Sequence, residues 1–132
     1  MKIVMLGAGA LGSTIGGTLA MGGNDVHFVD MWQEHVDLIN KDGLHMTNEK
    51  EDWYVRVDAR TTADTIGEAD LVIVLVKSFA TKQAVEQLKQ TNVIGKNTLV
   101  MSLQNGLGNE ETIASVIGSE NVISGKTYVG GR

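Results

Sequence analysis

The chain contains no cysteine, which removes disulfides, thiolate metal sites and thiol nucleophiles together and fits a reducing compartment. It contains no proline, where average usage of ~5% predicts about seven. No apolar run approaches the ~18–20 residues of a membrane span, and Met1 to Leu6 runs straight into glycines rather than into the apolar core and cleavage site of a signal peptide. No membrane partner is expected, and the expected location is cytoplasmic. Basic residues are outnumbered, 11 Lys and Arg against 16 Asp and Glu, for a formal net charge of −5. That sign is wrong for neutralising phosphate polyanions, so nucleic acid is not an expected partner. His27, His35 and His45 show no ligand spacing and no carboxylate cluster, so no metal site is expected and each reads as strand or helix surface. No G-x-S-x-G elbow is present for a serine nucleophile.

What remains is a foldable composition, 42% hydrophobic and 20% charged over 132 residues. That length suits one domain, residues 1–132, and leaves no room for two. Glycine is in excess, 16 residues where ~7% usage predicts about nine. Turns are therefore made by glycine, and the positions of those glycines carry information.

Ile3 to Leu6 is a short continuous apolar run, the pattern of a strand buried on both faces. Leu11, Ile15 and Leu19 then recur at helical spacing, with an end expected near Gly22 and Gly23. Val26, Phe28 and Val29 form a second strand closing on Asp30, and Trp32, Val36 and Ile39 stripe a second helix ending near Gly43. Between Leu44 and Val57 the alternation of Trp53, Val55 and Val57 with Tyr54 and Arg56, beside the polar cluster 48–52, predicts a β-hairpin excursion that holds Trp53 and Tyr54. Leu71 to Val76 reads as a central strand, followed by a helix striped by Ala80, Ala84, Val85 and Leu88. Thr98 to Leu103 is a further strand, Ile113, Val116 and Ile117 a further helix, and Val122 and Ile123 a last strand. No repeat or linker interrupts this order. Strands alternating with helices predict an α/β, Rossmann-type doubly wound, mostly parallel sheet with helices on both faces.

Gly7-Ala8-Gly9-Ala10-Leu11-Gly12 matches G-x-G-x-x-G. The first glycine permits the tight turn out of the strand, the second lets backbone approach a pyrophosphate, and the third lets helix and sheet pack closely. Phosphate would rest on the helix N-terminus, where unpaired N–H groups and the macrodipole favour negative charge. The pattern alone is weak; its place between strand and helix raises it. Asp30 lies eighteen positions beyond Gly12, where a carboxylate can accept hydrogen bonds from the adenosine ribose and repel a 2′-phosphate. Its competing role is to cap the helix that begins near Trp32. Asp25, beside Asn24, reads as turn chemistry. Trp32 reads as packing at a helix start, with contact to adenine as its functional alternative. Glu110 and Glu111 open a helix and suit its dipole without further role.

Two further segments sit at strand exits, where open α/β sheets bind ligands: Lys77 in VLVKS, and Gln104-Asn105-Gly106-Leu107-Gly108-Asn109-Glu110. A lysine there is often a solvated cation and Asn-Gly often a turn, so each motif alone leaves structure and function open. Together, GAGALG, the VK of Val76-Lys77 and QNGLGNE stand in the order and approximate spacing of the ketopantoate reductase (2-dehydropantoate 2-reductase) family, which the sequence resembles over all 132 residues. The resemblance implies that the glycine loop binds the pyrophosphate of a nicotinamide dinucleotide. It implies that Lys77 contacts the cofactor, that Asn105 lies by the nicotinamide ribose and the substrate, and that the backbone at Gly131 approaches the cofactor.

The implied reaction reduces a small 2-keto acid, 2-dehydropantoate to (R)-pantoate, by hydride transfer from NAD(P)H. In the family the general acid is a lysine of a helical C-terminal domain, assisted there by a glutamate. No catalytic residue is therefore expected within these 132 residues, which are expected to bind dinucleotide but turn over little alone. NADPH-using members commonly place an arginine just after the second strand; here Met31 and Trp32 follow Asp30, and no lysine or arginine appears before Lys41. NAD(H) is the expected cofactor, as in the NAD-dependent D-2-hydroxyacid (D-mandelate type) branch, with NADP(H) the family-typical alternative. A stand-alone NAD-sensing Rossmann module that gates potassium transport would share the loop, the acidic residue and the length. A two-domain dehydrogenase of a 3-hydroxy acid or polyol phosphate would share the fold. Lys77 and the Asn105 motif favour the reductase over the sensor. Oligomeric state is left open, a homodimer included.

Overall fold

In a computed structural model, which describes residues 1–76, 80–103 and 108–124, the first strand, β1 (Lys2–Leu6), divides its side chains between two cores. Ile3 and Met5 face one layer and Val4 and Leu6 the other, as the two-residue period of a strand demands. The chain continues through α1 (Ala10–Met21), β2 (Asp25–Val29), α2 (Gln33–Asp42), β3 (Leu44–Thr47), β4 (Asp52–Val55), β5 (Asp58–Arg60), β6 (Leu71–Val74), α3 (Thr81–Lys89), β7 (Leu99–Ser102), α4 (Asn109–Ile117) and β8 (Val122–Ser124). Six strands form one parallel sheet in the order β5-β2-β1-β6-β7-β8. The chain winds outward from β1 to β5 and then returns to β6 on β1's other side. This is the expected doubly wound sheet, and its direction reverses between β1 and β6.

One core joins Val4, Leu6, Val72, Val74 and Val100 to Val85 and Leu88 of α3 and Ile113 of α4. The other joins Ile3, Met5, Phe28 and Ile73 to Val36 and Ile39 of α2 and to Leu44 and Met46 of the excursion. That excursion is the antiparallel pair β3–β4, with Leu44 opposite Val55 and Thr47 opposite Asp52. Its turn is closed by Asn48, whose Oδ1 accepts from the N–H groups of Lys50 and Glu51 at 2.8 and 2.9 Å. Among the described residues no helix is long and apolar enough to cross a membrane.

Several local expectations change. The inner face of α1 is Gly12, Gly16 and Gly17, all buried, while the Leu11, Ile15 and Leu19 stripe is only half-buried. The helix thus approaches the sheet more closely than a leucine seam would allow. Trp32 does not pack into the core at the start of α2: it is 64% exposed. Asp25 opens β2 rather than a turn; the turn before it belongs to Asn24, whose Nδ2 donates to Leu19 O at 3.0 Å. Residues 58–60 form the sheet's edge strand, which the sequence did not announce because Asp-Ala-Arg holds one apolar residue and no alternation.

His27 also departs from its surface reading. Its side chain is 14% exposed, with Nδ1 donating to Asp58 Oδ2 at 2.8 Å and Nε2 3.0 Å from Asp25 Oδ1 without hydrogen-bond alignment. His45 does lie on the exposed hairpin face, stacked on Tyr54 at 5.0 Å. His27 and Asp58 are register partners in β2 and β5, and Arg60 Nε donates to the same Asp58 oxygen at 2.7 Å. Burial would raise the Asp58 carboxyl, but hydrogen bonds and charge from His27 and Arg60 outweigh it and hold the group below its ordinary 3.8.

Two stability predictions follow from these contacts. A Cβ on Gly16 would overlap Phe28 Cζ and lie 3.0 Å from Met5 Cγ, both in fully buried side chains. One on Gly17 meets the mobile thioether end of Met46. Gly16→Ala should therefore destabilise by about 1–3 kcal/mol by overpacking, whereas Gly17→Ala should stay within about 1 kcal/mol as helix propensity offsets the contact; urea unfolding measures both. Because the folded Asp58 pKa is depressed, its contribution is complete above the unfolded value and disappears as pH falls through the folded one. Asp58→Asn should accordingly flatten the acid limb of the stability–pH curve below about pH 4, with little change in its slope near neutrality.

Candidate functional site

The reversal of winding leaves a crevice at the carboxyl ends of β1 and β6. Backbone bonds extend the sheet to its brink: Gly7 N–H to Val29 O at 2.9 Å, Asp30 N–H to Arg60 O at 2.9 Å, Leu75 N–H to Leu6 O at 2.9 Å and Leu103 N–H to Val74 O at 3.1 Å. Beyond them lies a cleft of about 1160 Å³ lined by all six residues of the 7–12 loop, by Asp30, and by segments 61–64, 75–76 and α3.

Each loop glycine meets a different constraint. Gly7 has φ +115°, a conformation that L side chains rarely adopt, and a Cβ there would sit 3.0 Å from the Leu75 carbonyl carbon. Gly12 faces back on the turn, so a Cβ would lie 2.6 Å from Gly7 O. Gly9 is unlike both: its φ of −70° suits any residue, and a Cβ would meet nothing within 4 Å among the described residues. None of those residues requires glycine at position 9. The space beside it is a cradle that a Cβ would fill, open to the cleft. The N–H groups of Gly9, Ala10, Leu11 and Gly12 have no acceptor among the described residues, as expected for the first turn of a helix. These donors, at the positive end of the α1 dipole, suit an anion.

Asp30 both supports the loop and opens to the cleft. Its Oδ2 accepts from Ala8 N–H at 2.8 Å and its Oδ1 from Trp32 N–H at 2.9 Å. The helix-start role is therefore realised in part, although Trp32 itself occupies the N-cap of α2. A carboxylate has about four acceptor positions, so two remain for hydroxyl donors. Asp64 also lines the cleft, and among the described lining residues there is no lysine or arginine. Arg60, on the neighbouring strand, is committed to Asp58 and to Thr65 Oγ1.

Of the residues expected to form the site, Gly7, Ala8, Gly9, Ala10, Leu11, Gly12 and Asp30 are brought together on this cleft. Lys77, Asn105 and Gly131 lie outside the described residues, as does Gly106. Val76 and Leu103, which directly precede Lys77 and the segment that begins at Gln104, both line the cleft. His35 departs from its surface reading, since its ring contacts the Ala8 carbonyl, Nε2 to O 2.8 Å. No spacing rule marks that contact, which depends on how α2 lies beside the loop. Segment 61–64 was equally unmarked, because it follows the unrecognised strand β5. Glu110 and Glu111 occupy the first turn of α4, in accord with its dipole.

The loop geometry predicts opposite outcomes for two identical substitutions. Gly12→Ala should destabilise by about 2–3 kcal/mol, since backbone must move. Gly9→Ala should keep stability within about 1 kcal/mol of the parent. Chemical denaturation distinguishes them.

A family model described as ketopantoate reductase PanE/ApbA matches residues 3–132. A 2-dehydropantoate 2-reductase of Streptococcus pyogenes serotype M1 is 33% identical over 127 residues, covering 96% of this chain and 40% of the relative. One from Pyrococcus abyssi is 43% identical over 113 residues, covering 86% of this chain and 36% of the relative. The chain thus spans about two-fifths of the length of these curated relatives. Among solved structures, a PanE/ApbA family ketopantoate reductase from Ralstonia eutropha superposes with a TM-score of 0.84 at 36% identity, covering 94% of this chain and 40% of the other. A D-mandelate dehydrogenase in ternary complex with NADH and anilino(oxo)acetate superposes with a TM-score of 0.88 at 30% identity, covering 96% and 40%.

Proposed function

The chain belongs to the ketopantoate reductase PanE/ApbA family, and from that premise we propose that it is the dinucleotide-binding domain of an oxidoreductase that reduces a small 2-keto acid, with 2-dehydropantoate the first candidate. The observation that carries this reading is the open cradle at Gly9, placed beside unpaired N–H donors at the sheet's reversal point. The nicotinamide would supply the hydride to the ketone. The protein's contribution here is binding and orientation: the N–H groups of residues 9–12 hold the pyrophosphate, and Asp30 accepts from the adenosine ribose hydroxyls. Lys77, Asn105 and Gly131 are proposed to complete the cofactor site, with Asn105 also touching substrate. The general acid that protonates the developing alkoxide is assigned outside these 132 residues.

Two carboxylates in the cleft lining, and no cation among its described residues, favour NAD(H) over NADP(H), because a 2′-phosphate beside Asp30 would be repelled. The likeness to a D-mandelate dehydrogenase solved with NADH supports the same choice and keeps other 2-keto acids in view. Calorimetric titration tests both points. NADH should bind at least about tenfold, or about 1.4 kcal/mol, tighter than NADPH, and equal or tighter NADPH binding would sink the preference. Gly9→Ala, though folded, should weaken NADH by about tenfold or more, since its methyl group occupies the cradle; unchanged affinity would move the pyrophosphate elsewhere.

A further inference from the structure

We propose that His35 is a positioning residue for the glycine loop, holding the peptide that presents the Gly9 N–H to the cofactor; this rests on the dinucleotide reading of the cleft. Its Nε2 lies 2.8 Å from Ala8 O. A carbonyl oxygen only accepts, so Nε2 carries the hydrogen of that bond. The peptide between Ala8 and Gly9 is planar and trans, so its C=O and N–H point in opposite directions. Drawing the Ala8 carbonyl toward α2 therefore turns the Gly9 N–H away from α2. That N–H has no acceptor among the described residues, and it borders the open cradle.

Asp30 holds the preceding peptide in the same way, by accepting from Ala8 N–H at 2.8 Å. Two consecutive peptide planes of the loop are thus set by side chains from beyond it. Ser13 Oγ also donates to Ala8 O, at 3.1 Å, but from within α1, where it cannot relate the loop to the second βα unit. The His35 ring is itself braced: Trp32 stacks on it with centroids 5.4 Å apart and planes inclined by 29°. Trp32 N–H in turn donates to Asp30 Oδ1 at 2.9 Å. Ala8, Asp30, Trp32 and His35 form a closed ring of contacts, of which Ala8 is the most buried member, 2% exposed. This also accounts for an exposed tryptophan at the start of α2, since its ring supports an imidazole rather than the core.

Two substitutions separate the hydrogen bond from the bulk of the side chain. His35→Phe keeps a flat ring for Trp32 and removes the donor; His35→Gln can place an amide N–H near the position of Nε2. In the protein at its full natural length, NADH titration should show His35→Phe weakened about tenfold and His35→Gln within about threefold of the parent. In ¹⁵N-labelled protein, the Gly9 amide resonance should shift in the phenylalanine variant and largely return in the glutamine variant. His35→Phe binding NADH like the parent overturns the assignment, as does equal weakening in both variants that tracks a shared loss of thermal stability. If the parent itself binds neither NADH nor NADPH, the dinucleotide reading of the cleft fails instead.

Discussion

Helix α1 meets the sheet through a face of glycines, with Ile15 and Leu19 packed beside it, and the layout around the cleft depends on that close approach. The glycines at 12, 16 and 17 stand where any Cβ would press on Gly7 O, on the Phe28 ring or on Met46. A leucine in any of these places would press the helix away from the sheet. The strand, the turn and the first helical N–H groups would then no longer lie over the point where the sheet changes direction. Close approach also brings Phe28 and Met5 against the helix axis, so one core begins directly under the loop. The glycine excess, which in another chain would only loosen it, here permits dense packing.

The second constraint is electrostatic and passes through Asp30. Its two oxygens tie the first βα turn to the second, by Ala8 N–H and Trp32 N–H. The same carboxylate faces the cleft. One side chain thus supports the loop and lines the cleft beside it. The edge strand shows a related economy. Asp58 accepts from both His27 Nδ1 and Arg60 Nε between β2 and β5, which leaves Arg60 committed away from the cleft.

Much of this was legible in the residues. The runs Ile3–Leu6 and Leu71–Val76, the loop 7–12 and the hairpin pattern over 44–57 are local properties of period and residue type, and the structure has them in the expected order. The family resemblance rested on three ordered motifs, and the family match bears it out. Local reading failed where one segment's role depends on another. The apolar stripe of α1 does pack against the core through Ile15 and Leu19, but the most buried face is Gly12, Gly16 and Gly17, where a Cβ would meet Gly7 O, the Phe28 ring or Met46. Trp32 has the chemistry of a core residue, but it is exposed and its ring stacks on His35.

The sequence by itself thus determined the doubly wound class and the position of the glycine turn between β1 and α1, since both follow from hydrophobic period and glycine spacing along the chain. Only the tertiary structure decided that Asp58–Arg60 is a strand, that His27 donates to Asp58, and that His35 reaches Ala8. Each of these is a pairing across tens of residues whose partners carry no mark of one another. Such pairings form only when the sheet sets β5 beside β2 and α2 beside the glycine loop.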